Sequence, residues 1–548
     1  MAAAAIAVVT RVVGAAGLLG QDLLFGLLLG ATVVLLLVGR DRRIGIALGE
    51  LVSRDTAPVA LVAAAAMTMA ALAAHYLPVW QWDSLGYHLP YVDFALQRGS
   101  LADVPEDIPY ISTYPHAVEH LFIAWRAMLP DDRLVDAAQI PLGLLGAGSI
   151  AVIAREHGAR TDTSVAAGLA WLALPAVFLQ LPTNYVDVAS TSFLLAAAAF
   201  TLAAPTPAKI VGAGLALGLF LGSKPSAPIG TLLVFGLLAV RGWRAGHRWP
   251  LVASAACVLL LGAESYAMNL LRHGNPIWPV KLAIGPWTFP GELPMQQLLD
   301  SGPEAPRLHG PLVSRLAQSW LTFDAPMMFD MRFGGLGLVY VAALPVALYV
   351  AWKRRSIPIA VIALAALASP DPAVPRYILA FPGLVLAVAF ARVAAVPPRA
   401  RQVVLAIAAV ALAHGLSRAY PALAGEGPPL SQYSAMSEAE RLRALGAHGK
   451  PAPFYDALER TSPGDVTAFD ASMELPYLAW PPDLSRRAMW LRDRLAPDEI
   501  DRILRDRHVR LLVVNRGSSL AAAVREKPET FTPLFDCRST PCTVFIRN

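Results

Sequence analysis

Charge is what this sequence has least of. Only 16% of its 548 residues are Asp, Glu, Lys or Arg, where a soluble globular chain carries about a quarter. Hydrophobic residues make up 56%. A soluble chain this long would divide into several domains joined by polar linkers, yet apolar runs fill the first 420 residues. Cysteine is also scarce: three residues exclude a disulfide framework and a cysteine zinc site. Cys257 lies in an apolar segment and reads as inert filler. Cys537 and Cys542 sit close together in a polar tail, where a small disulfide loop can form if the tail is outside the cytoplasm. Internal repeats are absent, and the only compositional bias is alanine richness. The net charge of +5 does not point to nucleic acid, because the basic residues sit in short clusters between apolar runs, the topogenic pattern of a membrane protein. No basic region precedes the first apolar stretch, so the N-terminus reads as retained rather than as a signal peptide.

What is present is a series of apolar runs, at 17–38, 57–76, 134–154, 164–180, 185–203, 210–222, 226–241, 249–269, 334–352, 357–370, 378–395 and 402–420. They predict a mainly α, polytopic transmembrane bundle of about 12 spans, with 13 as the alternative if residues 1–16 hide another. Several runs are short and need to pack inside the bundle. Counting alternate loops from RDRR (40–43) puts REHGAR (155–160), Lys209, RGWRAGHR (241–248), KRR (353–355) and PPRAR (397–401) on one side, the cytoplasm. The opposite side receives the long polar segments 77–133, 270–333 and 421–548. The expected division is a membrane domain over 1–420 and a small extracytoplasmic α/β domain over 421–548. In that tail VTAFD (466–470), VRLLVVN (509–515) and CTVFIRN (542–548) read as strands, and Pro497-Asp498-Glu499 followed by IDRILRDR as a capped helix.

The candidate chemistry gathers on the outer side. Asp83, in WDSLGYHLP, follows a span directly, among Trp80, Trp82 and Tyr87, which suit a membrane–water boundary. Asp83 reads either as the N-cap of a helix starting at Ser84 or as a functional carboxylate. DFALQRG reads as a short interfacial helix with Phe94 and Leu96 turned inward and Asp93 on a solvated face. Lys224, in LGSKPSAP between two short apolar runs, sits where a charge is costly and commonly functional, or else is a snorkelling loop lysine. Arg376 offers a planar fork suited to phosphate, or anchors a helix end at the interface. His116, Glu119 and His120 open an amphipathic segment and can hydrogen-bond a sugar, orient Asp83 or bind a divalent ion. HAVEH lacks the metalloprotease order H-E-x-x-H, so hydrogen bonding is favoured over metal. Asn184, Tyr185 and Asp187 form a short outer turn, in which Asp187 caps a helix or serves the site. Tyr377 and His88 are further candidates to line it.

W-D-S-L-x-Y-H-L-P after an early span resembles the first outer loop of the GT-C superfamily, integral-membrane glycosyltransferases that use polyprenyl-phosphate sugars. Protein O-mannosyltransferases and aminoarabinose transferases are members. TYPHAVEHLFIAW (113–125), LPTNYVDVASTSFLL (181–195), GNPIWP (274–279) and PRYILAFP (375–382) resemble its later outer motifs, in order, across most of 57–395. The resemblance implies a transferase with Asp83 as general base. It also implies a polyprenyl-phosphate sugar as donor, an acceptor hydroxyl on a glycan, lipid or protein, and a multi-pass place in a bacterial inner membrane. The chemistry agrees: an acceptor hydroxyl needs a carboxylate to take its proton, and a departing lipid phosphate needs cations, here Lys224 and Arg376. The remaining candidates, Tyr87, His88, His116, Glu119, His120, Asn184, Asp187 and Tyr377, would bind substrate. No D-x-D pair is present, which argues against a metal-bound nucleotide sugar, and no cofactor is expected. Inversion is expected, because no second carboxylate is foreseen as a nucleophile. The alternatives are a lipid-linked glycan flippase, another lipid-linked transferase, and a non-catalytic envelope-assembly protein.

Overall fold

A computed structural model describes residues 1–38, 53–101, 108–294, 310–323, 335–425, 427–444, 452–491, 502–504, 506–537 and 541–548. The chain is mainly helical, with a small mixed sheet near its C-terminus. Proline at the first turn opens many of the membrane-domain helices, among them Ala57–Tyr76, Ile140–Glu156, Pro207–Leu221, Ala227–Arg244 and Pro398–Ala419, the position where its missing N–H costs nothing. Helix Asp187–Leu202 is the axis, buried along nearly its whole length and packed on Ile140–Glu156 and Pro207–Leu221. Close approach of neighbours depends on glycine. A Cβ on Gly168 would stand 2.2 Å from the carbonyl oxygen of Ala147, and one on Gly214 2.4 Å from Ser254 Oγ.

Among the described residues three helices are long and apolar enough to cross a membrane: Ala57–Tyr76, Val135–Glu156 and Pro398–Ala424. The pair Arg248–Gly262 and Glu264–His273, bent by 58°, adds a fourth if it is one span. Asp187–Leu202, Pro207–Leu221, Ile357–Leu367 and Ala380–Val393 are apolar but shorter. The expected run 164–180 is two helices, Thr161–Leu172 and Pro175–Gln180, because Pro175 cannot continue the first. Residues 1–16 do hold a helix, Ala2–Ala15. Leu61, Leu232, Leu260, Ile407 and Val410 are exposed, giving the bundle the apolar exterior that lipid requires. RDRR at 40–43 lies outside the described residues, as do Pro497, Asp498 and Glu499 and parts of 270–333.

The segment after the bent pair forms a three-stranded sheet, β1 (Val280–Ile284) between β2 (Trp287–Phe289) and β3 (Leu293–Pro294). The C-terminal sheet runs β5-β4-β6-β8-β7, from β4 (Val466–Phe469), β5 (Arg487–Trp490), β6 (Val509–Asn515), β7 (Phe531–Asp536) and β8 (Cys542–Arg547). Its first three strands are parallel and β7 and β8 antiparallel. A disulfide joins Cys537 and Cys542. This sheet is docked on the helix Leu89–Arg98. Phe94, fully buried, meets Trp480 edge-on at 4.8 Å. Gln97 Oε1 accepts from Trp480 Nε1 and from the Ala488 amide, both at 2.8 Å. The docking explains why Asp93 is fully buried, 3.8 Å from Arg126, and not on a solvated face: the tail covers it. Leu96 is only half-buried.

Candidate active site

Asp83 follows the helix Ala57–Tyr76 and precedes a π-helical turn, Ser84–His88, that leads into Leu89–Arg98. Its backbone is itself helical and its side chain makes no cap hydrogen bond, so the N-cap reading is corrected. The carboxylate instead accepts from Arg376 Nη1 at 2.8 Å. The Asp83 amide donates to Tyr185 Oη at 3.2 Å. Arg376 stands on a 3-10 turn, Pro375–Ile378, with its guanidinium over Tyr185 (4.9 Å) and Tyr377 (5.0 Å).

Asp187 begins the central helix and accepts from Lys224 Nζ. Its other oxygen lies 3.7 Å from Arg376 Nη1, and Lys224 Nζ sits 5.0 Å over the Tyr377 ring. Two carboxylates and two cations therefore form one cluster, with side-chain exposures of 15% for Asp83, 10% for Arg376, 2% for Asp187 and 21% for Lys224. Charges this buried persist only when paired. One of the two cations expected to serve the phosphate, Arg376, touches Asp83. A second carboxylate, Asp187, also stands in the cluster, unforeseen in the argument for inversion, and both cations hold it.

A cavity opens from this cluster. Asp187, Lys224, Arg376 and Tyr377 line its polar part, and Leu194, Phe220, Ala365, Ala366 and Ala380 its apolar wall. The wall is supplied by helices Asp187–Leu202, Pro207–Leu221, Ile357–Leu367 and Ala380–Val393. The arrangement suits a ligand with an anionic head and an apolar tail.

The remaining candidates form other layers. His88 Nδ1 and Glu119 Oε1 are 2.6 Å apart and buried. Tyr87 stands beside them, its phenol pushed up by burial and by Asp83. His116 stacks on Tyr91 at 3.8 Å and donates from Nε2 to the Ile111 carbonyl. His120 Nε2 meets Tyr91 Oη at 3.4 Å. Burial pushes both of these imidazoles down, His120 to about 3, so they are neutral. Asn184 is fully buried; its amide N–H donates to Ser84 Oγ and its side chain to the Val135 carbonyl, which ties the turn at 182–186 to the one carrying Asp83. No group of three or more His, Cys, Asp or Glu is placed to hold a metal ion among the described residues. Tyr185, two residues before Asp187, was passed over as a site residue although it touches both Asp83 and Arg376.

No protein-family model matches the sequence, and no curated protein matches it. Solved structures do. ArnT from Cupriavidus metallidurans bound to undecaprenyl phosphate superposes with a TM-score of 0.55 at 14% identity, over 88% of this chain and 97% of that one. The same protein in its apo state gives 0.55 at 15% identity, over 90% and 98%. The chain has the fold of ArnT over most of its length, the fold that the ordered outer motifs led us to expect.

Proposed function

We propose that this protein is a multi-pass bacterial inner-membrane glycosyltransferase. It would move a sugar from a polyprenyl-phosphate donor to an acceptor hydroxyl on the extracytoplasmic side. The observation that carries the proposal is the cavity that begins at Lys224, Arg376 and Tyr377 and continues along an apolar wall, beside a carboxylate. The ArnT of the same fold binds undecaprenyl phosphate. About 12 spans, several of them short and packed inside the bundle, complete this reading.

The donor phosphate lies between Lys224 and Arg376, and its chain along the apolar wall. Arg376 turns from Asp83 toward the phosphate, which leaves the Asp83 carboxylate free to accept a proton. The acceptor oxygen attacks the anomeric carbon and its proton passes to Asp83. The bond from that carbon to the phosphate oxygen breaks, and the electron pair leaves with the lipid phosphate, stabilised by both cations. One displacement inverts the anomeric centre. Asp187 stays paired with Lys224 and takes no covalent part. Tyr87, His88, Glu119, His116 and His120 build the wall on the Asp83 side, and Asn184 holds its turn. No cofactor is required.

The test is reconstitution of the full chain in liposomes with a panel of polyprenyl-phosphate hexoses and pentoses. A transferase releases free polyprenyl phosphate and a glycosylated product. Movement of the intact sugar-lipid across the bilayer without that release would instead establish a flippase.

A further inference from the structure

Asp83 has a second, aromatic neighbourhood. Trp82, Tyr87, Tyr110 and Tyr114 form a continuous aromatic wall. Tyr87 is the hub, with ring centres 6.5 Å from Trp82, 6.0 Å from Tyr110 and 5.6 Å from Tyr114, and the last two are 5.4 Å apart. All four rings keep part of their surface exposed. Tyr110 and Tyr114 both feel the Asp83 charge, which with burial pushes their phenols up.

Acidic side chains flank this wall. Glu474, exposed, comes from the C-terminal domain and accepts from Trp82 Nε1 at 3.0 Å. Its backbone carbonyl lies 3.7 Å from where a Cβ on Gly86 would stand, so the 470–475 turn rests on the π-helix that follows Asp83. Glu292, also exposed, acts on Tyr110 through its charge. The contacts of Phe94 and Gln97 with Trp480 fix the C-terminal domain in this position.

An anchor for anionic lipid headgroups would be basic at its rim; among the described residues, the carboxylates Glu474 and Glu292 stand at this one. Partly exposed aromatic rings with carboxylates at the edge suit a ligand that has an apolar face and hydroxyl donors around it. A phosphorylated or otherwise anionic ligand would meet like charge.

We infer that the Trp82–Tyr110–Tyr114 wall, closed by Glu474 of the C-terminal domain, is the acceptor subsite and takes an uncharged sugar ring. The inference rests on the transferase reading and narrows its acceptor from glycan, lipid or protein to a neutral glycan. The ring stacks on the wall, and Glu474 and Glu292 accept from its hydroxyls. The hydroxyl to be glycosylated points at Asp83. The C-terminal domain is thereby a part of the acceptor site.

Saturation-transfer NMR on the full-length protein in micelles tests this, with methyl α-D-mannopyranoside and methyl α-D-glucopyranoside as probes. Glucose 6-phosphate and an uncharged serine/threonine peptide serve as comparators. The ring protons of the neutral glycosides should saturate, and the protons of both comparators should not. Trp82→Ala should weaken glycoside binding about fivefold or more, and Glu474→Gln about threefold. Trp82→Phe, which keeps a ring, should fall between wild type and Trp82→Ala. Undecaprenyl phosphate binding, measured on the same preparations, should stay at the wild-type level in all three variants. Equal saturation of the peptide or of glucose 6-phosphate, or glycoside binding unchanged in Glu474→Gln and Trp82→Phe, overturns the inference. Sugar transfer from the lipid donor without any glycoside binding leaves the transferase reading intact and removes this one. Glycoside binding without any transfer removes the transferase reading, and with it the acceptor role of this wall.

Discussion

The contact between Asp83 and Arg376 allows a quantitative test. At 2.8 Å and an effective dielectric near 20, the Coulomb attraction is about 6 kcal/mol. Desolvation of two side chains that are 15% and 10% exposed offsets most of it. Removing the cation alone strands a carboxylate, which costs about 3 kcal/mol at this residual exposure. Arg376→Met should therefore destabilise by about 3 kcal/mol and Asp83→Asn by about 1 to 2 kcal/mol. The double variant should lose less than the sum, with a coupling of about 2 kcal/mol. Unfolding of the purified protein in mixed micelles, run on all four proteins, gives the cycle. Effects that add to within about 0.5 kcal/mol would refute the pairing.

Burial raises the Asp93 carboxyl to about 7, so the folded protein holds a proton that the unfolded chain releases above about pH 4. This group's contribution to stability should fall as pH rises from about 4 to 7 and level off above that. Asp93→Asn should flatten that slope and be the more stable form at pH 8, by up to about 4 kcal/mol, as read by unfolding against pH. Gly168→Ala places a methyl against the Ala147 carbonyl and should destabilise by about 1 to 3 kcal/mol, seen as a lower unfolding midpoint. Gln97→Ala leaves Trp480 Nε1 and the Ala488 amide without their acceptor and should loosen the C-terminal domain. Limited proteolysis should then cut near 421–451 faster than in wild type.

Long-period features were legible in the sequence and crossings of the chain were not. Hydropathy alone located the helix Ala57–Tyr76, because a lipid-facing helix must be apolar throughout. Short runs rich in β-branched and other apolar residues located β4, β6 and β8. The run 164–180 was misjudged, since hydropathy does not register the break that Pro175 imposes. The bend after Gly262 was equally invisible. In the site, Lys224 was singled out because charge between apolar runs is costly, Arg376 for its planar fork, and Asp83 for its place after a span and the motif around it. Their meeting in one cluster depends on helix packing, which no local pattern encodes. Asp93 looked like a solvated residue because its cover, the C-terminal domain, lies more than 350 positions away. Glu474 carried no signal at all: an exposed acid in a polar tail acquires meaning only once it meets Trp82.

The central claim is that Asp83 takes the proton from the acceptor hydroxyl while Lys224 and Arg376 hold the lipid phosphate. Asp83→Asn is nearly isosteric and can still accept from Arg376, but loses the charge and with it the basicity. The decisive measurement pairs transfer from a polyprenyl-phosphate sugar with binding of undecaprenyl phosphate in this one variant. The account predicts transfer lowered by about 100-fold or more with lipid-phosphate binding kept within about threefold. Transfer at the wild-type rate by the folded variant would contradict it.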